Sequence, residues 1–371
     1  MRIVVDYGPA LRERTGVGEY IHQLVRAYTA AHTDHLVLFS SSWKDRLTSP
    51  LSDPALELVD RRVPVRVLNY LWHRMGWPPV EALTGAADVV HAAHPLLIPA
   101  RKAAQVVTIH DLFFLSHPER THREIRRDYP VFAAKHAQAA DAVVTSTDHG
   151  RRLISEKLDV PADRIYVCPP GAPTWRTLGQ KPNVPPAGYA LFVGTLEARK
   201  NIGTLLDAYT LLLGRQWKPA PLVLAGRPTA DAAEWLSRIA KPPLSDHVTY
   251  RGYVPEDQRE RLYAGARLVV IPSLDEGFGF TALEAMSAGI PVLASDRGSL
   301  PEVVGDAGIL IDPTDREALA GALERALTDE PRALELARKG LERARARDWQ
   351  QAASRLHGAY TDAVRRRRDR A

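Results

Sequence analysis

The hydrophobic positions of this chain fall into short apolar runs separated by longer stretches with helical spacing. In the N-terminal half the runs cover residues 2–6, 35–40, 88–91, 106–110 and 142–147. In the C-terminal half they cover residues 190–194, 222–226, 248–252, 268–272 and 292–295. Apolar strands that alternate with helices, such as the helical pattern at 18–31, are typical of parallel sheets covered on both faces. The pattern predicts an α/β protein with two Rossmann-like units.

A stretch rich in proline and glycine lies between the two halves. Pro169-Pro170-Gly171-Ala172-Pro173 and residues 182–188 suit neither helix nor strand. The chain has 371 residues, more than a usual single domain. We therefore expect an N-terminal domain of residues 1–173, a linker, and a C-terminal domain of residues 174–349.

Composition indicates a globular protein, because 45% of the residues are apolar and 25% are charged. We find no apolar run long enough to span a bilayer, and no basic-then-apolar signal segment before Asp6. The single cysteine, Cys168, excludes internal disulfides and fits a reducing compartment. These features together predict a cytoplasmic protein.

The formal net charge is +5, and part of it comes from the terminal run Arg365-Arg366-Arg367-Arg368-Asp369-Arg370. Such a run either attracts anionic lipid or nucleic acid or is a solvated chain end. The first interpretation would make the protein a non-catalytic basic adaptor. We do not expect a nucleic-acid partner.

A glycine-broken stretch between two acids is the strongest candidate site. It reads Glu276-Gly277-Phe278-Gly279-Phe280-Thr281-Ala282-Leu283-Glu284 and follows the apolar run 268–272. The order predicts a strand, a glycine loop and a helix start, whose first amides suit an anion such as a diphosphate. The two carboxylates can accept hydrogen bonds from hydroxyl groups, so a sugar nucleotide matches both features.

Structural alternatives remain open for both acids. Thr281 and Glu284 have the spacing of a capping box, in which the glutamate folds back onto the Thr281 amide. Glu276 also suits the positive end of a helix without any ligand.

Further motifs follow the order found in one enzyme family. They are Thr15-Gly16-Val17-Gly18, Ile109-His110-Asp111, Val144-Thr145-Ser146, Pro169-Pro170-Gly171, Gly194-Thr195-Leu196-Glu197-Ala198-Arg199-Lys200-Asn201, Ala288-Gly289-Ile290-Pro291-Val292-Leu293-Ala294-Ser295 and Pro301-Glu302-Val303-Val304. Together with the two glutamates separated by seven residues, they make most of the chain resemble the retaining glycosyltransferases of family 4. That family has the two-domain GT-B fold, and the resemblance implies that a terminal helix at about 350–371 crosses back to the first domain.

The resemblance implies roles for individual residues. Glu276 would contact the donor sugar, Glu284 the nucleotide ribose, and Arg199 and Lys200 the departing diphosphate. His110 would contact the donor sugar from the N-terminal domain. Asp111 would orient His110 or serve the acceptor. The remaining donor-binding positions implied are Gly16, Gly18, Gly194, Thr195, Tyr253, Val254, Gly277, Phe278, Gly279, Phe280, Thr281 and Leu283.

Plainer interpretations compete with several of these roles. Arg199-Lys200 also fits a solvated turn, and Gly16-Val17-Gly18 a tight turn before a helix that starts near Glu19. Tyr253 also fits a core position, and His110 a bond to a backbone carbonyl. Because ligands bind at the carboxyl ends of parallel strands, we expect the Glu276, Arg199 and His110 motifs to converge on one cleft.

The resemblance implies a metal-independent transferase, since cations and a helix start would neutralise the diphosphate. No Asp-x-Asp motif is present, and the pairs His32/His35 and His91/His94 offer too few metal ligands. The motifs look most like those of bacterial mannosyltransferases of polysaccharide assembly, which makes GDP-mannose the first expected donor and a glycan or lipid-linked glycan the acceptor. A sugar-nucleotide epimerase or a hydrolase of the same fold is the alternative.

Two segments of the N-terminal domain mix aromatic residues with cations. Residues 68–78 include Trp72, Arg74 and Trp77, and residues 122–136 include Arg123, Arg126, Arg127 and Lys135. They predict peripheral contact with the inner membrane face, against the alternative of an acceptor pocket or core packing.

Overall fold

The computed structural model describes residues 1–11, 16–41, 56–121, 123–215 and 219–370, without the side chains of residues 120, 123, 124 and 256. Thr15 and His122, from two of the sequence motifs, lie outside the described residues, as does the side chain of Arg123. The chain forms two compact units. The first comprises Met1–Gly171 and the chain from Asp348 onward, and the second comprises Ala172–Arg347.

The first unit is built on a seven-stranded sheet whose paired strands are all parallel, in the order β3-β2-β1-β4-β5-β6-β7. Its strands are β1 (Arg2–Asp6), β2 (His35–Ser40), β3 (Leu56–Asp60), β4 (Val89–Ala92), β5 (Ala104–Thr108), β6 (Ala142–Thr145) and β7 (Ile165–Val167). Its helices are α1 (Gly16–Ala31), α2 (Val65–Tyr70), which continues into a π-helical turn at Leu71–Met75, α3 (Glu81–Thr84), α4 (Phe113–Ser116), α5 (Arg123–Ala139) and α6 (Asp148–Leu158).

The second unit contains a six-stranded parallel sheet in the order β10-β9-β8-β11-β12-β13. Its strands are β8 (Tyr189–Val193), β9 (Leu222–Ala225), β10 (Val248–Tyr250), β11 (Ala266–Ile271), β12 (Val292–Ser295) and β13 (Gly308–Ile311). Its helices are α7 (Ile202–Leu213), α8 (Ala232–Ile239), α9 (Glu256–Ala264), α10 (Phe280–Ser287), α11 (Leu300–Val304), α12 (Arg316–Thr328) and α13 (Glu330–Arg345). A final helix, α14 (Trp349–Asp369), belongs to the first unit.

Both faces of the second sheet are buried, which explains its continuous apolar strands. Neighbouring residues of β8 enter different clusters: Phe192 packs with Leu206 and Leu323 on one face, and Leu191 with Met286 on the other. Alternate side chains of a strand point to opposite faces, so a sheet covered on both sides needs apolar residues at every position.

The segment after Gly171 packs on the second unit. The Trp175 indole donates a hydrogen bond to Ser287 Oγ at 2.8 Å and lies against the Tyr263 ring. The Asn183 amide donates to the Gly289 carbonyl at 2.7 Å. Much of the stretch expected to be a linker is therefore part of this unit's packing.

The arginine-rich end of α14 is held by the first unit. Arg366 donates to the Asp163 carbonyl at 2.7 Å and to Tyr166 Oη at 3.0 Å, and Arg370 donates to Asp141 Oδ1 at 3.1 Å. The interpretation as a solvated chain end is therefore wrong for Arg366, which is 19% exposed, while Arg370 is 48% exposed. Within the described ranges, no helix is long and apolar enough to cross a membrane.

Candidate active site

Glu276 lies at the carboxyl end of β11, in a buried position surrounded by donors. Lys200 Nζ is 2.5 Å from Glu276 Oε1, and Arg199 Nη1 is 3.3 Å from Glu276 Oε2. Ser273 Oγ donates to Oε1 at 2.8 Å. Glu276 is 8% exposed. The structure thus brings together three of the residues that sequence reasoning selected.

The charge state of Glu276 follows from these contacts. Burial alone would raise the pKa of this carboxyl, but the charges of Lys200 and Arg199, with hydrogen bonds from Lys200 and Ser273, lower it to about 2. Glu276 is therefore a carboxylate at neutral pH. It can hold the two cations and accept hydrogen bonds, but it carries no proton to donate.

The loop after β8 places both cations. A short 3-10 turn, Ala198–Lys200, ends at Asn201, whose left-handed φ of 57° reverses the chain before α7. The Arg199 carbonyl accepts the Leu274 amide at 2.8 Å, which joins this loop to the one that carries Glu276. The side chains of Arg199 and Lys200 are 17% and 15% exposed, so the solvated-turn interpretation is wrong.

A glycine outside the motif keeps the Glu276 loop in place. Gly298 has φ of +60°, and a Cβ there would lie 2.8 Å from both the backbone N and O of Glu276. Ser299 approaches the same carbonyl, with Oγ at 2.9 Å. Only glycine combines this backbone conformation with so close an approach.

Helix α10 starts in the glycine-broken stretch, but its start differs from the capping-box interpretation. The N-cap is Gly279, with φ of 96°, and the helix begins at Phe280. The Thr281 hydroxyl donates to the Val193 carbonyl at 3.2 Å, at the end of β8, rather than capping. Amides at this helix start lack intrahelical acceptors and carry partial positive charge.

Glu284 points away from the helix start. Tyr263 Oη donates to Glu284 Oε2, and Arg259 Nη1 lies 3.2 Å from Glu284 Oε1. The capping-box alternative for Glu284 is therefore wrong. The carboxylate is held by α9 and remains 16% exposed, so a ligand can reach it.

Apolar side chains of the stretch 276–284 pack within the second unit. Phe278 and Leu283 are buried at 4% and 1% exposure, and the Phe278 ring packs 5.3 Å from that of Phe280. Arg347 lies over Phe278 at 5.7 Å. Since the side chains of Phe278 and Leu283 are buried, the backbone is the part of these two residues that a ligand can contact.

Tyr253 and Val254 follow β10 and are half-buried. The Arg227 guanidinium lies over the Tyr253 ring at 4.7 Å, on a loop rather than inside a core cluster. Gly194 and Thr195 follow β8, and the Gly194 amide donates to the Ala225 carbonyl at 2.9 Å. The core-tyrosine alternative for Tyr253 is thus wrong.

His110 belongs to the first unit and follows β5. Its Nε2 is buried without a hydrogen-bond partner among the described residues, while the ring bonds the Ala93 backbone. Burial lowers the pKa of His110 to about 4, so the imidazole is neutral. Tyr20 of α1 packs edge-on against it at 5.4 Å. Asp111 Oδ1 accepts the Phe113 amide at 3.1 Å.

The glycines near the N-terminus lie in a helix. Gly16 and Gly18 form the first turn of α1, so the expectation of a loop with a helix start near Glu19 is wrong. A Cβ at Gly18 would lie 2.5 Å from the Pro9 carbonyl oxygen. The glycine is there because α1 packs directly against the chain that leaves β1.

Comparison with known proteins identifies the family. Residues 178–346 match the model of the glycosyl transferases group 1, and residues 15–171 match that of the glycosyl transferase 4-like domain. The chain is 32% identical to O-antigen chain mannosyltransferase B of Escherichia coli, in an alignment that covers 97% of this chain and 99% of the relative. The chain belongs to the group 1 glycosyltransferases.

Solved structures confirm the GT-B fold of this glycosyltransferase. Sucrose-phosphate synthase from Thermosynechococcus elongatus superposes with a TM-score of 0.75 at 22% identity, covering 97% of this chain and 98% of the other. Anabaena HepE in complex with UDP and glucose gives a TM-score of 0.71 at 18% identity, covering 97% and 99%. Membership of the glycosyltransferase family contradicts the interpretation as a non-catalytic adaptor.

The sequence did not predict the residues of the glycosyltransferase that hold Glu276 and Glu284 in place. Ser273, Arg259 and Tyr263 bond the two glutamates, yet none lies in a motif. The signal for Ser273 was its place directly after a buried strand. Nothing in the sequence indicated Arg259 and Tyr263 of α9, because the pattern of a helix face does not show which distant residues it will contact.

The histidine pairs considered as metal ligands have other partners. His91 bonds Tyr360 Oη and Thr108 Oγ1, each at 2.7 Å. His32 stacks on His357 with ring centroids 4.2 Å apart. In the part of the chain that the structure describes, no three His, Cys, Asp or Glu side chains are placed to hold a metal ion.

Proposed function

We propose that this glycosyltransferase transfers mannose from GDP-mannose to a glycan or lipid-linked glycan, with retention of configuration and without a metal ion. The observation that carries the proposal is the buried cluster of Arg199, Lys200 and Glu276 beside the start of α10. Two cations and partly positive amides form a site for a diphosphate.

The chemistry follows from these charges. The bond between the anomeric carbon and the diphosphate oxygen breaks, and negative charge grows on the diphosphate. Lys200 and Arg199 stabilise that charge, and they need no reorganisation because Glu276 already holds them in place. A bond forms between the anomeric carbon and the acceptor oxygen, and the acceptor proton passes to the leaving diphosphate. Glu276, a carboxylate at neutral pH, accepts hydrogen bonds from the sugar.

Mannose is proposed from the relative that matches over almost its full length, which is named a mannosyltransferase. For the nucleotide, Glu284 is a half-buried acceptor for ribose hydroxyls, held by Tyr263 and Arg259. Tyr253, held under Arg227, is a half-buried ring on which a base can stack. On the first unit, the ring of His110 donates its hydrogen to the Ala93 backbone, so its buried unpartnered Nε2 is an acceptor for a sugar hydroxyl.

A donor panel tests the proposal. GDP-mannose at a hundred times its dissociation constant should stabilise the protein by about 2.7 kcal/mol, which raises the melting temperature by several degrees. UDP-glucose, UDP-N-acetylglucosamine and GDP-glucose should raise it less. A UDP-sugar that gives the largest shift would overturn the donor but keep the site. No shift with any donor would overturn the function.

Two measurements on the product complete this test. Transfer should continue in excess EDTA, and the NMR spectrum of the product should show an α-mannoside. A β-product would exclude retention, and activity that EDTA abolishes and Mg²⁺ restores would exclude metal independence. Release of mannose without an acceptor product would favour the hydrolase.

Peripheral membrane contact is also proposed, through one surface of the first unit. Its exposed apolar side chains are Tyr70, Met75, Trp77 and Val131, at 55%, 64%, 59% and 62% exposure. Arg74 joins the two segments, since it pairs with Asp128 at 3.1 Å and lies over Phe132 at 4.8 Å. By contrast Leu68 and Trp72 are in the core, so only part of residues 68–78 is available.

Vesicle sedimentation tests this surface. Exposed aromatic and basic side chains favour an anionic bilayer interface, so the protein should bind phosphatidylglycerol vesicles better than phosphatidylcholine ones. The double variant Met75→Ser/Trp77→Ser should lower the partition coefficient about tenfold. Leu334→Ser removes an exposed leucine of the second unit and should not change binding. Equal binding by the two variants would contradict the proposal.

A further inference from the structure

A polar cluster lies at the carboxyl edge of the first sheet, where the strand order reverses. Strands β1, β2 and β3 run to one side and β4, β5, β6 and β7 to the other, so the reversal falls between β1 and β4. Asp6 ends β1, and His94 follows β4. Parallel sheets bind ligands in the crevice at such a reversal.

Asp6 and His94 face each other there. Asp6 Oδ2 is 3.7 Å from His94 Nε2, and the two side chains are 16% and 19% exposed. The distance is too long for a direct hydrogen bond, so each atom retains capacity for another partner. The Asp6 carboxylate also bonds the backbone of Gly8 and Ala93. His110 bonds Ala93 as well, which places the cluster beside the proposed His110 sugar contact.

Backbone amides determine which nitrogens of the cluster carry hydrogen. His94 Nδ1 accepts the Leu96 amide at 3.2 Å, and His136 Nδ1 accepts the Leu97 amide at 3.0 Å. Burial lowers the pKa of each imidazole to about 4, so both are neutral. A neutral ring that accepts at Nδ1 carries its hydrogen on Nε2. Both rings therefore offer Nε2–H donors.

His73 is the third histidine of the cluster. Its ring centroid lies 5.8 Å from that of His94 and 6.4 Å from that of His136. It is 8% exposed, and neither ring nitrogen has a hydrogen-bond partner within the described parts of the chain. Buried polar atoms in folded proteins are nearly always hydrogen-bonded to protein, water or a ligand, so both nitrogens of this ring are free to bond a group that enters the cluster.

We propose that Asp6, His94 and His73 bind the non-reducing end of the acceptor glycan through its hydroxyl groups, with Asp6 accepting a hydrogen bond from one of them. This inference rests on the proposed function, because it assigns the acceptor of the same reaction.

The chemistry of the cluster selects a neutral polyol. Each hydroxyl both donates and accepts, which matches a set of one carboxylate, Nε2–H donors and imidazole acceptors. An anion would meet the Asp6 charge. Two cations of the neighbouring segments, Arg74 and Arg127, are already paired with Asp128 at 3.1 and 2.6 Å. The Tyr129 ring, stacked on His94 at 6.3 Å, offers an aromatic wall beside the cluster.

Binding of α-mannobiose to the protein in the absence of donor, measured by saturation-transfer NMR, tests the proposal. The wild-type protein should bind it, and Asp6→Asn and His94→Gln should each weaken binding at least tenfold. His35→Gln, which changes an exposed histidine of β2, should bind like wild type. His73→Gln serves as a third variant if either of the others melts early.

Steady-state transfer separates acceptor binding from a structural effect. The acceptor KM should rise in the Asp6 and His94 variants, while the melting shift caused by the donor stays at its wild-type value. Wild-type affinity for α-mannobiose in folded variants, or no binding by the wild-type protein, would overturn the proposal. The proposal would also be overturned if these variants lost both acceptor binding and the melting shift caused by the donor. Failure of the donor panel is a separate result, since the mannobiose experiment contains no donor.

Discussion

Glu276→Gln should lower glycosyl transfer about 100-fold to 1000-fold, the range found when one preorganised electrostatic group is removed from an active site. The substitution keeps the shape of the side chain but removes its charge. Lys200 and Arg199, at 2.5 and 3.3 Å, then lose the carboxylate that orients them and partly neutralises their charge. The rate at saturating donor and acceptor measures the loss.

Stability should fall as well, because breaking a buried ion pair from one side leaves uncompensated charge and costs about 3–5 kcal/mol. The double variant Glu276→Gln/Lys200→Met removes charge from both sides. It should recover part of the stability but none of the activity. Recovery of activity in the double variant would contradict an electrostatic role for Lys200.

Glu197→Gln is the matched control for Glu276→Gln. Glu197 also pairs with Arg199, at 2.9 Å, but its side chain is 30% exposed. Exposed pairs contribute about 1 kcal/mol or less, so transfer should fall less than tenfold. If the two substitutions lowered the rate of transfer equally, Glu276 would contribute to transfer only by positioning Arg199.

The pH dependence of stability gives an independent check on Glu276. Its pKa in the folded protein, about 2, is below the ordinary value of 4.5, so it contributes stability that is complete above pH 4.5 and is lost towards pH 2. The Gln variant should therefore lose less stability than wild type between pH 5 and pH 3. Chemical denaturation at a series of pH values measures this difference.

Gly226→Ala should destabilise the second unit by about 4 kcal/mol and lower the melting temperature by roughly 10 °C. A Cβ at Gly226 would lie 1.8 Å from the Gly194 carbonyl oxygen, and φ at this residue is +148°. The two loops after β8 and β9 would have to separate. Since the first of them leads to Arg199 and Lys200, the melting shift caused by the donor should decrease too.

Gly321→Ala is the control in the same unit. Gly321 lies within α12, and its new Cβ would meet only the end of the flexible Arg325 side chain at 3.4 Å. Alanine favours the helix by about 1 kcal/mol over glycine, so the melting temperature should rise slightly. Similar destabilisation by the two substitutions would show that the contact between Gly226 and Gly194 is unimportant.

The sequence predicted the second sheet well because its strands are buried on both faces. Strands β8, β9 and β11 fall within the predicted runs, give or take two residues. It missed β3, β7 and β13, which are short or at sheet edges, where burial is partial and the apolar pattern is weak. The start of α1 was placed too late, since two glycines in a first turn look like a loop.

The residues of the candidate site likewise fall into those that the sequence predicted and those that it did not. Glu276 was predicted from the glycine-broken stretch after a buried strand, and Arg199 and Lys200 from the resemblance to the family 4 enzymes. Parallel strands bring their carboxyl ends to one edge, which is why these residues lie close together. The capping-box alternative for Glu284 was wrong because spacing along the chain cannot show that Tyr263 and Arg259 hold this carboxylate. Asp6 was not selected and His94 was considered only as a metal ligand, since neither lies in a family motif.

The α/β class, the two parallel sheets, the family and the loops that carry the chemistry could all be predicted from the chain, because they depend on local apolar periodicity and on short motifs. Which charges and rings pair became visible only in the folded protein. Lys200 and Glu276 are 76 residues apart in the chain, and His73 and His94 come from different segments beside the first sheet. Such pairs depend on the paths of whole loops and on burial, which no local pattern encodes.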